Sequence, residues 1–117
     1  MEDMKLWPTH EPEDLAWAAG FFDGEGCTSY HASRKQKFYP RLRVVQCGEF
    51  GELLLRRFQR SVQMGKVYGP YKPIKDYYLP RWIFQVSGPQ VREVLRLLWP
   101  WLSEVKKRQA LKVLNGE

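Results

Sequence analysis

Residues 15–26 read Leu-Ala-Trp-Ala-Ala-Gly-Phe-Phe-Asp-Gly-Glu-Gly, an apolar helical run that ends, rather than begins, with two acidic residues. The last turn of a helix already carries about half a negative charge, so each acid there costs roughly 0.3–1 kcal/mol. We therefore expect a positive group to offset Asp23 and Glu25. A divalent cation is the natural candidate, because Mg²⁺ prefers carboxylate and carbonyl oxygens as ligands.

Small residues recur along the same run at Ala16, Gly20 and Gly24, with Ala19 beside Gly20. Glycine costs about 1 kcal/mol relative to alanine inside a helix, so two glycines on one face favour the close approach of another helix. The alternative is a helix packed within its own domain, with small residues and a glycine at its C-terminal cap. The residues alone leave both interpretations open.

Residues 18–26 resemble the LAGLIDADG motif of homing endonucleases, in the variant that ends Gly-Phe-Phe-Asp-Gly-Glu-Gly. The resemblance continues in residues 45–46, 65–69, 84–88, 100–102 and 106–110, and together the matches cover about residues 12–115. It implies an α+β fold of the order αββαββα(α), with one four-stranded antiparallel saddle sheet per subunit. Residues 1–117 then form a single endonuclease domain.

The activity that this resemblance implies is sequence-specific cleavage of both strands of a near-palindromic DNA duplex by metal-dependent phosphodiester hydrolysis. The chain contains one acidic motif, and family members with a single motif act as homodimers. The resemblance thus places Ala16, Ala19, Gly20 and Gly24 at a helix contact between two subunits. The rival prediction is a non-cleaving relative, either an intron maturase or a DNA-binding regulator. A basic globular protein with a glycine-rich helix is a third, blander alternative.

Site residues also follow from the resemblance. Glu25 is the last acid of the motif and, with the Gly24 carbonyl, is implied to bind Mg²⁺ or Mn²⁺. Gln46 matches a strand residue that positions water, and Lys106, or Lys107 one residue later, matches an assisting lysine. Asp23 is implied to support the helix end. An arginine found near the active site of some relatives has no match here, since Cys47, Gly48 and Glu49 follow Gln46.

Strand alternation predicts which residues face DNA. Leu42 and Val44 are expected to point to the core, which turns Arg41, Arg43 and Val45 to the other face. Arg41 and Arg43 are the best candidates for guanine contacts, because a guanidinium bridges O6 and N7. The alternative for each residue is a solvated strand face. Together with matching positions in the family, the alternation gives thirteen DNA-facing candidates: Ser29, His31, Ser33, Lys35, Lys37, Tyr39, Arg41, Arg43, Lys66, Tyr68, Arg81, Ile83 and Gln85.

Composition agrees with a polyanionic partner. Nineteen Lys and Arg face thirteen acids, giving a net charge of +6, and 15% of the residues are aromatic. No apolar run approaches the roughly twenty residues of a membrane span, and the N-terminus does not read as a signal peptide. We expect an intracellular protein of the cytoplasm, nucleoid or an organelle matrix. Cys27 and Cys47 lack paired Cys-x-x-Cys spacing and are expected to be reduced thiols rather than zinc ligands.

Hydrophobic periodicity predicts the remaining elements. Helices are expected from Pro12 to the glycines of the motif and over residues 49–63, 89–98 and 102–114. Strands are expected over residues 27–32, 39–46, 67–71 and 80–87.

Overall fold

The computed structural model describes residues 10–31, 39–72, 75 and 79–116. Its elements follow the predicted order and differ from the predicted ends by one or two residues. They are α1 (Pro12–Glu25), β1 (Gly26–His31), β2 (Tyr39–Cys47), α2 (Gly51–Val62), β3 (Lys66–Tyr71), β4 (Arg81–Ser87), α3 (Pro89–Leu98), a 3₁₀ turn (Trp99–Trp101) and α4 (Glu104–Leu114).

Helix α4 begins two residues later than the periodicity predicts, at Glu104. The reason is the capping residue Ser103, whose side chain accepts a hydrogen bond from the Lys106 backbone N–H at 3.3 Å. A serine in this position satisfies one of the free N–H groups of the first turn. Pro100 lies in the 3₁₀ turn that separates α3 from α4.

The four strands form one antiparallel sheet in the order β1-β2-β4-β3. Its core face carries Leu42, Val44 and Phe84, all fully buried, as the alternation predicts. Helices α1, α2 and α3 all contact β2, and α4 lies along β1. The helices thus share one layer, and the opposite face of the sheet presents residues of odd number from β1, β2 and β4.

Helix α1 supplies much of the core through Ala18, Ala19 and Phe22, which are fully buried. The Phe22 ring packs on Phe58, which in turn meets Phe84 edge-on at 4.9 Å between centroids. Gly26 follows directly, and a Cβ at this position would overlap the Phe22 ring. The last glycine of the acidic motif is therefore required by the close approach of β1 to α1.

Helix α1 packs against α2. His10, before α1, lies with its Nε2 3.3 Å from the carbonyl oxygen of Val62 at the end of α2. One turn into α1, the Arg57 guanidinium stacks 3.9 Å from the centroid of Trp17. Further along α1, Phe21 and Phe22 pack against Phe58 of α2. Within the described residues, no helix is long and apolar enough to cross a membrane.

Candidate functional site

The C-terminal end of α1 is joined to the start of α4 by two reciprocal contacts. The Ser103 backbone N–H donates to both carboxylate oxygens of Asp23, at 3.1 and 3.2 Å. In the other direction, Lys106 Nζ donates to the Gly26 carbonyl oxygen at 2.6 Å. The positive end of the α4 dipole therefore stabilises Asp23, and the ammonium stabilises the negative end of α1. These contacts agree with a structural role for Asp23.

None of these groups offsets the negative charge of Glu25, in contrast to that of Asp23. Its side chain is exposed, and within the described part of the chain its carboxylate has no hydrogen-bond or ion-pair partner. An acid at a helix C-terminus without a partner is electrostatically unfavourable. Of the two acids in the motif, Glu25 is the one available to a cation.

Three residues predicted to be catalytic lie at the same corner of the sheet. Gly26 of β1 pairs with Val44 of β2. Gln46 lies two residues further along β2, so it is at the end of the strand pair that adjoins Glu25, the residue before Gly26. The Gln46 amide Nε2 donates to the Val45 carbonyl at 2.9 Å. We call the group formed by Glu25, Gln46 and Lys106 the acidic corner.

The choice between the two C-terminal lysines also has a structural answer. Lys106 Nζ reaches the Gly26 carbonyl beside Glu25, whereas Lys107 Nζ lies 5.6 Å from the Trp99 ring centroid. Lys106 is therefore the lysine placed at the acidic corner. The catalytic role of each member of the corner stays a prediction.

The donors at the acidic corner are oxygens of the kind that Mg²⁺ prefers, but one chain supplies few of them. The Glu25 carboxylate and the Gly24 carbonyl are the oxygens that the motif offers. Within the described residues, no cluster of three or more His, Cys, Asp or Glu side chains exists.

The uncovered face of the sheet, which we call the open face, is lined by cross-strand rows of polar and aromatic residues. One row contains Cys27, Arg43, Gln85 and Lys66. The row on one side of it contains Ser29, Arg41 and Ser87. The row on the other side contains Val45, Ile83 and Tyr68. The last row contains Cys47, Arg81 and Tyr71. No described residue of these rows is acidic.

Three arginines therefore share the open face without a carboxylate partner. The ion pairs of the described residues join Arg56 to Glu52 and Arg96 to Glu93, on the helices. Partial burial lowers the pKa of Arg43, and the nearby charges of Arg41 and Arg81 lower it further. The buried Nε atoms of Arg41 and Arg43 also lack hydrogen-bond partners. The cluster is in place to receive an anion.

Most of the DNA-facing candidates lie where the sequence predicts. The residues placed on the open face are Ser29, Tyr39, Arg41, Arg43, Lys66, Tyr68, Arg81 and Gln85, and the His31 backbone pairs with Tyr39 at the end of β1. Ser33, Lys35 and Lys37 lie outside the described residues. Tyr71, Ser87 and Cys27 share the face although the prediction omitted them. Extending the alternation by one step would have found Cys27 and Ser87, whereas Tyr71 reaches the face through the register shift that follows Tyr68.

Ile83 requires a correction as a DNA contact. It belongs to the open face, but its side chain is only 5% exposed. Its cross-strand neighbours Val45 and Tyr68 lie on either side of it. Ile83 therefore supports the surface and offers almost no surface of its own.

The small-residue ridge of α1 also divides into two parts. Gly20 and Gly24 are exposed, Ala16 is half-buried, and a Cβ at either glycine would meet no atom within 4 Å. Ala19 is fully buried in the core of its own subunit, so its predicted place at a subunit contact is wrong. The reason is the turn of about 100° per residue, which points adjacent residues in different directions.

Helix α2, which packs against α1, also exposes apolar side chains. Phe50 and Leu53 are largely exposed at the start of α2, on the same helix stripe as Arg57. Arg57 stacks on Trp17 of α1, so this stripe lies on the side of α2 that meets α1.

Comparison with solved structures places this arrangement among known folds. The group I intron-encoded homing endonuclease I-CeuI, complexed with DNA, matches 92% of this chain with a TM-score of 0.58 at 12% identity. The meganuclease I-SmaMI bound to DNA matches 93% with a TM-score of 0.59 at 17% identity. The LAGLIDADG meganuclease I-AabMI bound to uncleaved DNA matches 88% with a TM-score of 0.57 at 15% identity. The chain has the LAGLIDADG homing-endonuclease fold.

This LAGLIDADG fold is supported by structure rather than by sequence similarity. No protein-family model and no curated protein sequence matches the chain. The chain also spans 55% of I-CeuI, 42% of I-SmaMI and 37% of I-AabMI. The identities of 12–17% establish the fold, and the function has to be argued from the acidic corner and the open face.

Proposed function

We propose that this protein is a homing-type DNA endonuclease that cleaves both strands of a near-palindromic duplex as a homodimer with Mg²⁺ or Mn²⁺. The observation that carries the proposal is the exposed, unpartnered Glu25 carboxylate at the margin of an arginine-lined face that has no described acid. A cation beside the carboxylate and a phosphate backbone against the arginines would compensate both. The DNA-bound state of the three structural neighbours supports the same choice of ligand.

The open face suits the major groove of duplex DNA. Strand side chains alternate, so the face directs one set of residues to the base edges while the hairpin ends reach the phosphates. A dimer would carry 2 × (+6) = +12 formal charges, which favours association with a polyanion. Arg41 and Arg43 then contact base edges or phosphates, and the target is approximately palindromic because the protein dimer is symmetric.

The exposed part of α1 supports the proposed homodimer. The Gly20 and Gly24 ridge leaves room for a second helix, and Phe50 and Leu53 extend the apolar surface. A twofold axis beside this ridge would bring two α1 C-termini together. Each subunit then contributes one Glu25, which supplies the second carboxylate that a single chain lacks.

The residues of the acidic corner would divide the work of hydrolysis. If it is bound there, Mg²⁺ would lower the pKa of the attacking water and stabilise negative charge on the phosphate oxygens. Glu25 and the Gly24 carbonyl would hold the ion, and the Gln46 amide would orient water. Lys106 adds positive charge near the leaving oxygen. The bond between Asp23 and Ser103 fixes the start of α4 and thereby the position of Lys106.

The direct test is selection of a target from a randomised duplex library, with and without Mg²⁺. We expect a near-palindromic sequence to be enriched by binding and cut on both strands when Mg²⁺ or Mn²⁺ is present. A selected sequence that is bound and never cut would indicate the non-cleaving relative. Failure to enrich any duplex would overturn the proposal.

Arg43 provides a prediction that separates base recognition from simple charge attraction. Arg43→Ala is expected to relax base preference at one symmetric pair of positions and to cost about 1–3 kcal/mol for each lost bidentate contact. The free energy of unfolding of this variant should stay the same or increase, because removing Arg43 relieves its repulsion from Arg41 and Arg81. Selection experiments and chemical denaturation measure the two quantities.

The matched control is the neighbouring core residue Leu42, which is fully buried. Leu42→Ala should destabilise the fold by about 2–5 kcal/mol while leaving base preference unchanged in the protein that remains folded. If Arg43→Ala weakens binding to all sequences equally, Arg43 contacts phosphate and the assignment of base readout is wrong.

A further inference from the structure

One row of the open face is apolar although its neighbours are not. Val45, Ile83 and Tyr68 lie side by side on β2, β4 and β3, in direct cross-strand register. The rows on either side contain Arg43 with Lys66 and Arg81 with Tyr71. Val45 and Tyr68 are 37% and 40% exposed, so the row presents an apolar strip in the middle of a basic surface.

This strip is not required to complete the core. The core face of the same strands is filled by Val44 and Phe84, which are fully buried, whereas Val45 faces the other way. Ile83 lies between Val45 and Tyr68 and holds both at the surface. The exposure of Val45 and Tyr68 to water is unfavourable in the free protein. Covering them with an apolar group removes that surface from water and is favourable.

The major groove contains one apolar group that distinguishes bases, the 5-methyl of thymine. Phosphates and the polar base edges match the arginine, lysine and glutamine rows. The methyl group matches the remaining row.

We propose that Val45 and Tyr68, supported by Ile83, recognise thymine 5-methyl groups in the major groove of the target. This inference rests on the proposed function, because it requires the open face to enter the major groove. It predicts that a target half-site contains thymine at a position opposite the strip, and that the methyl rather than the base-pair hydrogen bonding determines the preference.

The test is a scan in which each thymine of the selected duplex is replaced, one symmetric pair at a time, by uracil. This replacement removes only the methyl group. Dissociation constants are measured in EDTA by fluorescence anisotropy. At one symmetric pair of positions, we expect binding to weaken about fourfold when uracil replaces thymine in one half-site and about fifteenfold when it does so in both. This is the effect of losing one buried methyl group per subunit.

A variant of the protein assigns the effect to the strip. Val45→Ser should abolish the difference between thymine and uracil at that pair, while its binding to the uracil duplex equals that of the wild type. The matched control is Val105→Ser on α4, an exposed valine away from the sheet, which should retain the full difference.

The outcomes distinguish this inference from the proposed function. If the wild type binds its selected duplex and no uracil substitution weakens binding, the methyl assignment is overturned and the endonuclease proposal stands. A uracil effect that persists in Val45→Ser and in Tyr68→Ser also overturns the assignment to this strip. If no duplex is selected at all, the proposed function fails first, and the inference fails with it.

Discussion

Glu25→Gln is expected to reduce DNA cleavage in Mg²⁺ to an undetectable level while DNA binding is retained or strengthened. The amide keeps the shape of the side chain and one oxygen, but it removes the charge that holds a cation. Because Glu25 is exposed and has no described partner, its replacement leaves no buried group unsatisfied, and the fold should be unaffected. Binding improves slightly because the carboxylate repels phosphate in the absence of metal.

The measurement combines a plasmid or oligonucleotide cleavage assay with binding to the selected duplex in EDTA. Glu13→Gln is the matched control, since Glu13 is an exposed carboxylate at the opposite end of the same helix. Its loss costs roughly 0.3–1 kcal/mol of helix stability and leaves cleavage intact. A Glu25→Gln protein that cuts at the wild-type rate would show that Glu25 is not a metal ligand.

The acidic corner shows which parts of such a site a sequence can reveal. The misplaced carboxylates of α1 are visible in residues 15–26, because the sign of a helix dipole depends only on position in the helix. The groups that offset Asp23 and the helix end, Ser103 and Lys106, lie 80 residues away. No local pattern in the sequence connects Ser103 to Asp23. Part of the expected positive charge therefore comes from the chain itself, from the start of α4 and from the Lys106 ammonium.

The sheet shows the same division. Alternation of side chains along β2 predicts correctly that Leu42 and Val44 are buried and that Arg41 and Arg43 face the other way. Alternation gives the face of a residue and says nothing of its accessibility, which depends on neighbours in other strands. Ile83 is on the predicted face and yet covered, since its exposure is decided by Val45 and Tyr68.

Ala19 illustrates the corresponding limit in a helix. Gly20 and Gly24 are exposed and Ala16 is half-buried, while Ala19 faces inward, and the contact of this ridge with a second subunit stays a prediction. In a helix that is apolar on nearly every side, the hydrophobic pattern does not identify the inner face. The structure settles it through the contact of Phe22 with Phe58.

Gly20→Leu is expected to convert the protein from a dimer to a monomer and to abolish cleavage. Helices that approach through a glycine ridge lie closer than the usual 8–10 Å, and a leucine side chain prevents that approach. Within one subunit Gly20 is exposed and a Cβ there meets no atom within 4 Å, so we expect the fold to accommodate the substitution. Leucine also favours the helix over glycine by about 0.8–1 kcal/mol.

These opposite effects make the experiment decisive. Sedimentation or light scattering at micromolar concentration should report a monomer, while denaturation shows that each subunit is as stable as before or slightly more so. Arg108→Leu, which adds an exposed leucine on α4, controls for a general effect of surface hydrophobicity and should leave the dimer intact. A Gly20→Leu protein that stays dimeric would place the subunit contact elsewhere.

Loss of cleavage in this variant follows from loss of the second Glu25, since the α1 helix itself is unperturbed. The prediction therefore links assembly to chemistry: a monomer retains Gln46, Lys106 and one carboxylate, but not the pair. Adding Gly20→Leu subunits to the wild type should leave the wild-type activity unchanged, because the leucine would lie at the axis of a mixed dimer and prevents it from forming. If the wild type is a monomer at micromolar concentration both with and without its DNA target, the homodimer and the two-carboxylate site are both wrong.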